Sequence, residues 1–124
     1  MNSGSLLFLR EQETPAGETL CLSEQKKEGL MLHSLDPEYP DFIIRQENFI
    51  IGKKKEGVDG CIPASTISRL HARITFDGTV YFLEDLNSTN GTWIDRELLN
   101  PYELQPLANG SRIVFASVEY EARM

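Results

Sequence analysis

The 124-residue sequence is poor in the features that mark several protein classes. Its two cysteines, Cys21 and Cys61, show no metal-ligand spacing and are too few for a disulfide scaffold. Both read as unpaired thiols, with Cys61 packed in a strand. No apolar run approaches the roughly 18 residues that cross a bilayer. Leu6 to Leu9 is too short for a signal-peptide core and lacks a basic flank before it. A cytoplasmic or cytosol-facing domain, with no membrane insertion of its own, is therefore expected. Cations are scarce as well: 12 Lys and Arg stand against 19 Asp and Glu, a net charge of −7. That balance argues against general affinity for nucleic acid. Helical periodicity is missing throughout.

What is present is a β-pattern. The length suffices for one domain with a core, and a hydrophobic fraction of 40% is far from a disordered composition. Residues 1–28 are dominated by Gly, Ser, Glu, Gln, Lys and Pro without sustained alternation, as in a flexible tail or linker. A connector of this kind points to a fragment of a larger protein, with the folded domain over 29–124. From Gly29 the chain alternates apolar and polar residues in short runs. Strands are expected over 29–35, 42–45, 49–51, 61–63, 71–76, 80–84, 92–94, around 97–99, over 112–115 and over 118–123. Turn signals separate them: Asp36-Pro37, Asp77-Gly78 and Asn109-Gly110. About ten short strands with frequent turns imply an all-β fold, an antiparallel β-sandwich whose loops gather at its two ends. Trp93 and Phe115 are expected to face the core.

Charge is segregated along this pattern. Arg45 to Arg73 holds six basic and three acidic residues, a local +3. Asp77 to Glu103 holds six acidic residues and one basic, a local −5. A basic site on an acidic body attracts an anion at short range, whereas long-range steering favours a cationic partner or a peptide of both signs.

Three polar loops interrupt the strands at Ile51-Gly52-Lys53, Ser68-Arg69-Leu70-His71-Ala72 and Asp85-Leu86-Asn87-Ser88-Thr89-Asn90-Gly91-Thr92. In that order and spacing they resemble the forkhead-associated (FHA) domain family. A weaker match, Leu107 to Phe115, resembles the family's closing glycine turn and strand. The resemblance covers roughly residues 29–124. It implies an eleven-stranded sandwich that binds phosphothreonine in extended peptides, without a cofactor and without catalysis. The implied partner is a phosphothreonine-containing protein, such as a Ser/Thr kinase substrate.

The residues can be weighed against that implication on their own chemistry. A phosphate brings up to about −2 charge and three acceptor oxygens, so several donors must converge on it. Ser68 offers a hydroxyl and a backbone N–H, Arg69 a planar fork, and Thr89 a hydroxyl or backbone donor. The Asn90 amide can both donate to and accept from a peptide main chain. By resemblance, Ser68 and Lys53 hold the phosphate, Arg69 and Thr89 support it, and Asn90 holds the peptide just beyond. Gly52 and Gly91 read as backbone devices, His71 as a brace of its loop, and Asn87 and Ser88 as turn formers. Asp85 is expected to cap the strand end or bond neighbouring amides. A hydrolase set of Ser68, His71 and Asp85 is the competing reading. It lacks a nucleophile elbow or a glycine-rich oxyanion signature. An interaction module independent of phosphate is a further alternative.

The sequence departs from the family at three places. Lys53 stands where arginine is usual, keeping charge but losing the fork. Asp95-Arg96 replaces a frequent Asn-Gly turn, and Ala116 replaces a frequent glycine. Lys54 and Lys55 read as a solvated run.

Overall fold

The computed structural model describes residues 29–124; the expected tail at 1–28, and Cys21 within it, lie outside the described residues. Eleven strands follow in order: β1 (Leu30–Ser34), β2 (Phe42–Ile44), β3 (Asn48–Gly52), β4 (Gly60–Cys61), β5 (Ala72–Phe76), β6 (Tyr81–Asp85), β7 (Thr92–Ile94), β8 (Glu97–Leu98), β9 (Gln105–Pro106), β10 (Arg112–Phe115) and β11 (Val118–Arg123). Each expected strand is present, with ends shifted by a residue or two. Strand β9 was not anticipated, because two residues ending in Pro106 carry no alternation to read.

The strands form two sheets, one of order β2-β1-β11-β10-β7-β8 and one of order β4-β3-β5-β6-β9. Side chains alternate across the longer strands, so one face of each turns inward. Leu30 and Leu32 of β1, Ala72 and Ile74 of β5, Ile113 and Phe115 of β10, and Val118, Tyr120 and Ala122 of β11 meet in a single buried cluster. Fully burying one such aliphatic side chain contributes about 1.5–3 kcal/mol, so this cluster is the main source of cohesion. The Tyr120 ring stacks on Phe42 and meets Phe115 edge-on, with ring centres 5.7 Å apart in both cases. Its hydroxyl donates to the Pro40 carbonyl at 2.7 Å. Burial pushes the Tyr120 pKa far upward, and the side chain stays neutral.

Two expectations need correction. The sandwich is not purely antiparallel: β3 and β4 pair parallel, Ile51 opposite Gly60 and Gly52 opposite Cys61. The 53–59 segment carries the chain back along the sheet edge, and Pro63 follows this edge strand where no further ladder donor is needed. Trp93 does not face the core. Thr92 is the inward residue of β7, fully buried, and the two-residue period then turns Trp93 to the outer face opposite Val114 and Leu98. Phe115 does lie in the core.

Turns at the strand ends use left-handed backbone. Gly78 and Gly110 adopt φ of 100° and 90° in the two glycine turns. Asp95, Arg96 and Ala116 do the same without glycine, at φ of 48°, 74° and 58°. The two turn departures noted in the sequence, Asp95-Arg96 and Ala116, are therefore sites of local backbone strain.

The loops after β3, between β4 and β5, and between β6 and β7 meet at one end. The turn between β10 and β11 joins them, since Ala116 N–H donates to Gly91 O at 2.9 Å. Across the same end the Thr66 and Ser117 hydroxyls lie 3.1 Å apart.

Candidate functional site

Gly52 ends β3 where a second loop presses on the backbone. A Cβ built at this position would collide with the Arg69 carbonyl oxygen and lie 2.9 Å from Val58. The glycine thus lets the 64–71 loop close onto β3. Lys53 follows at once. Its N–H donates to Ser68 O at 3.0 Å, and its own carbonyl accepts the Cys61 thiol at 3.2 Å. The side chains of Lys53, Lys54 and Lys55 are exposed, as is Arg69. Among the described residues, none of these four cations is paired with a carboxylate.

His71 is fully buried and joins two loops through its two ring nitrogens. Nδ1 accepts the Ser68 N–H at 3.0 Å, and Nε2 donates to Gly91 O at 2.9 Å. This pairing needs the neutral ring protonated on Nε2. Burial lowers the His71 pKa below its ordinary 6.5, against the Gly91 carbonyl and the Asp85 charge, which raise it. The ring therefore stays neutral near pH 7. Ser68 Oγ accepts the Thr89 N–H at 2.9 Å, a second link between the loops. Asn90 Nδ2 donates to Thr66 O at 2.8 Å, a third.

Beneath the β6–β7 loop lies a network that the sequence reading only partly anticipated. Asp85, buried, accepts the Ser88 N–H at 3.0 Å through Oδ2. Its Oδ1 takes both the Ser88 and Thr92 hydroxyls at 2.6 Å. Ser88 Oγ in turn accepts the Gly91 N–H at 2.9 Å. A buried carboxylate is tolerated here because its lone pairs are met by donors. Asn87 and Gly91 supply left-handed turns at φ of 62° and 94°. The Thr66 carbonyl and Thr92 hydroxyl were not singled out from the sequence. Thr92 had no reliable signal, because the alternation alone favours Trp93 inward, and the strand's pairing and Asp85 turn Thr92 in instead. Thr66 had none, because its role is played by a backbone carbonyl.

The hydrogen-bond assignments decide what remains for a ligand. The Ser68 and Thr89 backbone donors, both candidates by chemistry, are consumed inside the clasp. Among the described residues the Ser68 hydroxyl accepts one bond and donates none, which leaves its proton to donate outward. Asn90 keeps its Oδ1 as an acceptor. Two hydroxyls, the exposed lysines and the Arg69 guanidinium thus surround one end of the sandwich with donors. A catalytic relay is not assembled: His71 bonds the Ser68 main chain rather than its hydroxyl, and Asp85 bonds Ser88 and Thr92.

Donors are thus gathered on cross-braced loops at one end of a β-sandwich. The FHA domain family model matches residues 49–116, and this chain belongs to the FHA domain family. Among curated proteins it is 36% identical to a probable serine/threonine-protein kinase, fhkC, of Dictyostelium discoideum, over 66% of this chain and 14% of the kinase. It is also 36% identical to the FHA domain-containing protein FhaA of Mycobacterium tuberculosis, over 65% of this chain and 15% of that protein. The chain therefore spans about one-seventh of the length of these two curated relatives. Among solved structures it resembles an FHA domain from a structural and functional study of phosphothreonine-dependent FHA domain interactions. The TM-score is 0.68 and the identity 33%, over 77% of this chain and 95% of that one. The FhaA FHA domain complexed with the intracellular domain of Rv3910 gives a TM-score of 0.68 and 30% identity, over 77% and 100%. No helix among the described residues is long and apolar enough to cross a membrane.

Proposed function

We propose that this chain is a non-catalytic reader of phosphothreonine peptides, joining a phosphorylated partner to the larger protein that carries it. The observation that carries the reading is the Ser68 hydroxyl. It is fixed between two loops by the Thr89 N–H and, among the described residues, its proton is unspent; Arg69 follows it on the same loop, and the exposed Lys53, Lys54 and Lys55 stand on the neighbouring loop after β3. Ser68 and Lys53 ligand the phosphate, while Arg69 and the Thr89 hydroxyl add donors. Asn90 Oδ1 accepts a main-chain N–H of the bound peptide. Gly52, His71 and Gly91 hold these groups in place without touching the ligand. The partner is a substrate of a Ser/Thr kinase on the cytoplasmic side.

Calorimetry against phosphothreonine peptides and their unphosphorylated counterparts tests the proposal. Affinity in the micromolar range, about −8 kcal/mol, is expected for the phosphorylated set only. Ser68→Ala should remove most of the difference, since a charge-assisted hydrogen bond is worth about 1.5–3 kcal/mol. Equal binding of both sets defeats the proposal. One feature favours a second reading, a scaffold that engages its partner without phosphate: the lysine at 53 cannot make a bidentate grip. That reading predicts partner binding that survives both phosphatase treatment and Ser68→Ala.

A further inference from the structure

A cleft of about 490 Å³ opens between the β7–β8 turn and the segment leading into β9. Asp95, Glu97 and Glu103 line it with Leu98, Leu99 and Pro106, and no Lys or Arg does. Asp95 Oδ1 accepts the Arg112 N–H at 2.9 Å, and Glu103 Oε1 accepts the Asn100 amide at 2.9 Å. Among the described residues no cation pairs with any of the three carboxylates. Of its apolar lining, Leu98 is 62% exposed. Tyr102 and Leu104, 62% and 50% exposed, do not line the cleft but stand beside it on the same segment, and the three are among seven exposed large hydrophobics of the described residues. All three fall within one short segment. Tyr102 is presented from left-handed backbone at φ 66°, a conformation that costs a tyrosine free energy.

The cleft is coupled in space to the phosphate-facing loops. Leu99 N–H donates to Thr92 O at 2.9 Å and Tyr102 N–H to Asp85 O at 2.8 Å. Those carbonyls are the two ends of the loop that carries Thr89 and Asn90. The donor-rich loops and the acidic cleft are thus joined through the backbone of one loop.

We propose that the 95–106 cleft is a second docking surface, which takes a segment of the phosphorylated partner rich in Lys or Arg and large apolar residues. Charge complementarity selects this occupant. Three unpaired carboxylates beside exposed leucines repel an acidic segment and leave a neutral one nothing to neutralise. A second copy of this chain presenting the same face would bring like charges together. Two linked contacts on one chain then act by effective concentration, so each strengthens the other. The proposal rests on the phosphopeptide reading for the identity of the partner, and not for the cleft's own affinity.

The test uses synthetic peptides with the whole chain. A phosphothreonine core is joined through a Gly-Ser spacer, on either side, to Lys-Leu-Lys-Leu-Lys, Lys-Gly-Lys-Gly-Lys or Glu-Leu-Glu-Leu-Glu. The first should bind at least about tenfold tighter than the other two by calorimetry. The double variant Glu97→Lys/Glu103→Lys should abolish that advantage, whereas Glu119→Lys/Glu121→Lys on the outer sheet face should preserve it. Two-dimensional amide NMR with the unphosphorylated Lys-Leu segment should shift residues 95–106, also in Ser68→Ala. This result would support the cleft even if phosphate dependence failed. Equal affinities for the three tails, or equal losses in the two double variants, overturn the proposal as diffuse attraction to an acidic body. A dimer seen by sedimentation and broken by Leu98→Glu reassigns the face to a second copy and overturns it too.

Discussion

The site is built from two unlike halves. One is a clasp of the 64–71 and 85–92 loops, held by three side-chain links through His71, Ser68 and Asn90 and by the buried Asp85 network beneath them. The other is the exposed lysine run from Lys53, tied to the clasp chiefly by one backbone bond to Ser68. The difference follows from what each half supplies. Hydroxyls and amides act over hydrogen-bond distances, so their positions must be fixed before the ligand arrives. An ammonium group acts as a charge over a longer range and tolerates a mobile stem. Precision is placed where bonds are directional, and exposure where charge suffices.

Removing the brace from the clasp should have the largest effect. His71→Ala leaves the Ser68 N–H and Gly91 carbonyl without their partner and opens a cavity. A loss of about 3 kcal/mol in stability is expected by chemical denaturation. The native domain should also weaken in acid. The His71 pKa is lowered by burial, so the unfolded chain takes up a proton that the folded chain refuses. The stability from His71 is present above its ordinary value of 6.5 and is lost as pH falls below it. His71→Asn should flatten this part of a stability–pH profile, and an unchanged profile would contradict the neutral brace.

A smaller effect is expected where the halves meet. In Gly52→Ala the new methyl group must displace the Arg69 backbone, an overpacking cost of about 1–3 kcal/mol. Phosphopeptide affinity should fall with it, because the shift separates Lys53 from Ser68. Gly57→Ala tests the contrast within the lysine loop. A Cβ there meets open space, so only the left-handed backbone at φ 85° opposes it, and affinity should hold.

In the lysine half, Lys53→Arg should raise phosphopeptide affinity by up to about tenfold, the worth of one added charge-assisted bond, with stability unchanged. A loss of affinity would mean that the compact ammonium is the better fit. The smallest effect lies outside both halves. Arg96→Gly relieves left-handed strain at φ 74° and should add about 0.5–1 kcal/mol of stability while leaving phosphopeptide affinity unchanged.

Much of this could be read from local pattern. Leu30-Met31-Leu32 and Ile113 to Phe115 announce strands because a two-residue period is a property of neighbouring residues. Asp77-Gly78 announces its turn because few residues accept that backbone. The Lys53, Ser68 and Asn90 loops were visible as polar interruptions in order. Strand β9, the parallel β3–β4 pair and the outward face of Trp93 were not. Each depends on a partner strand or on which residue of a short alternation is drawn inward, as Asp85 draws Thr92.

The sequence by itself determined an all-β domain, a separation of charge and the order of the three polar loops. Only the tertiary structure decided which donors remain for a ligand. The Ser68 and Thr89 amides are spent on partners 3 and 21 residues away, and the Asn90 amide reaches 24 residues. A hydrogen bond depends on distance and angle in space, and chain order alone fixes neither across such separations.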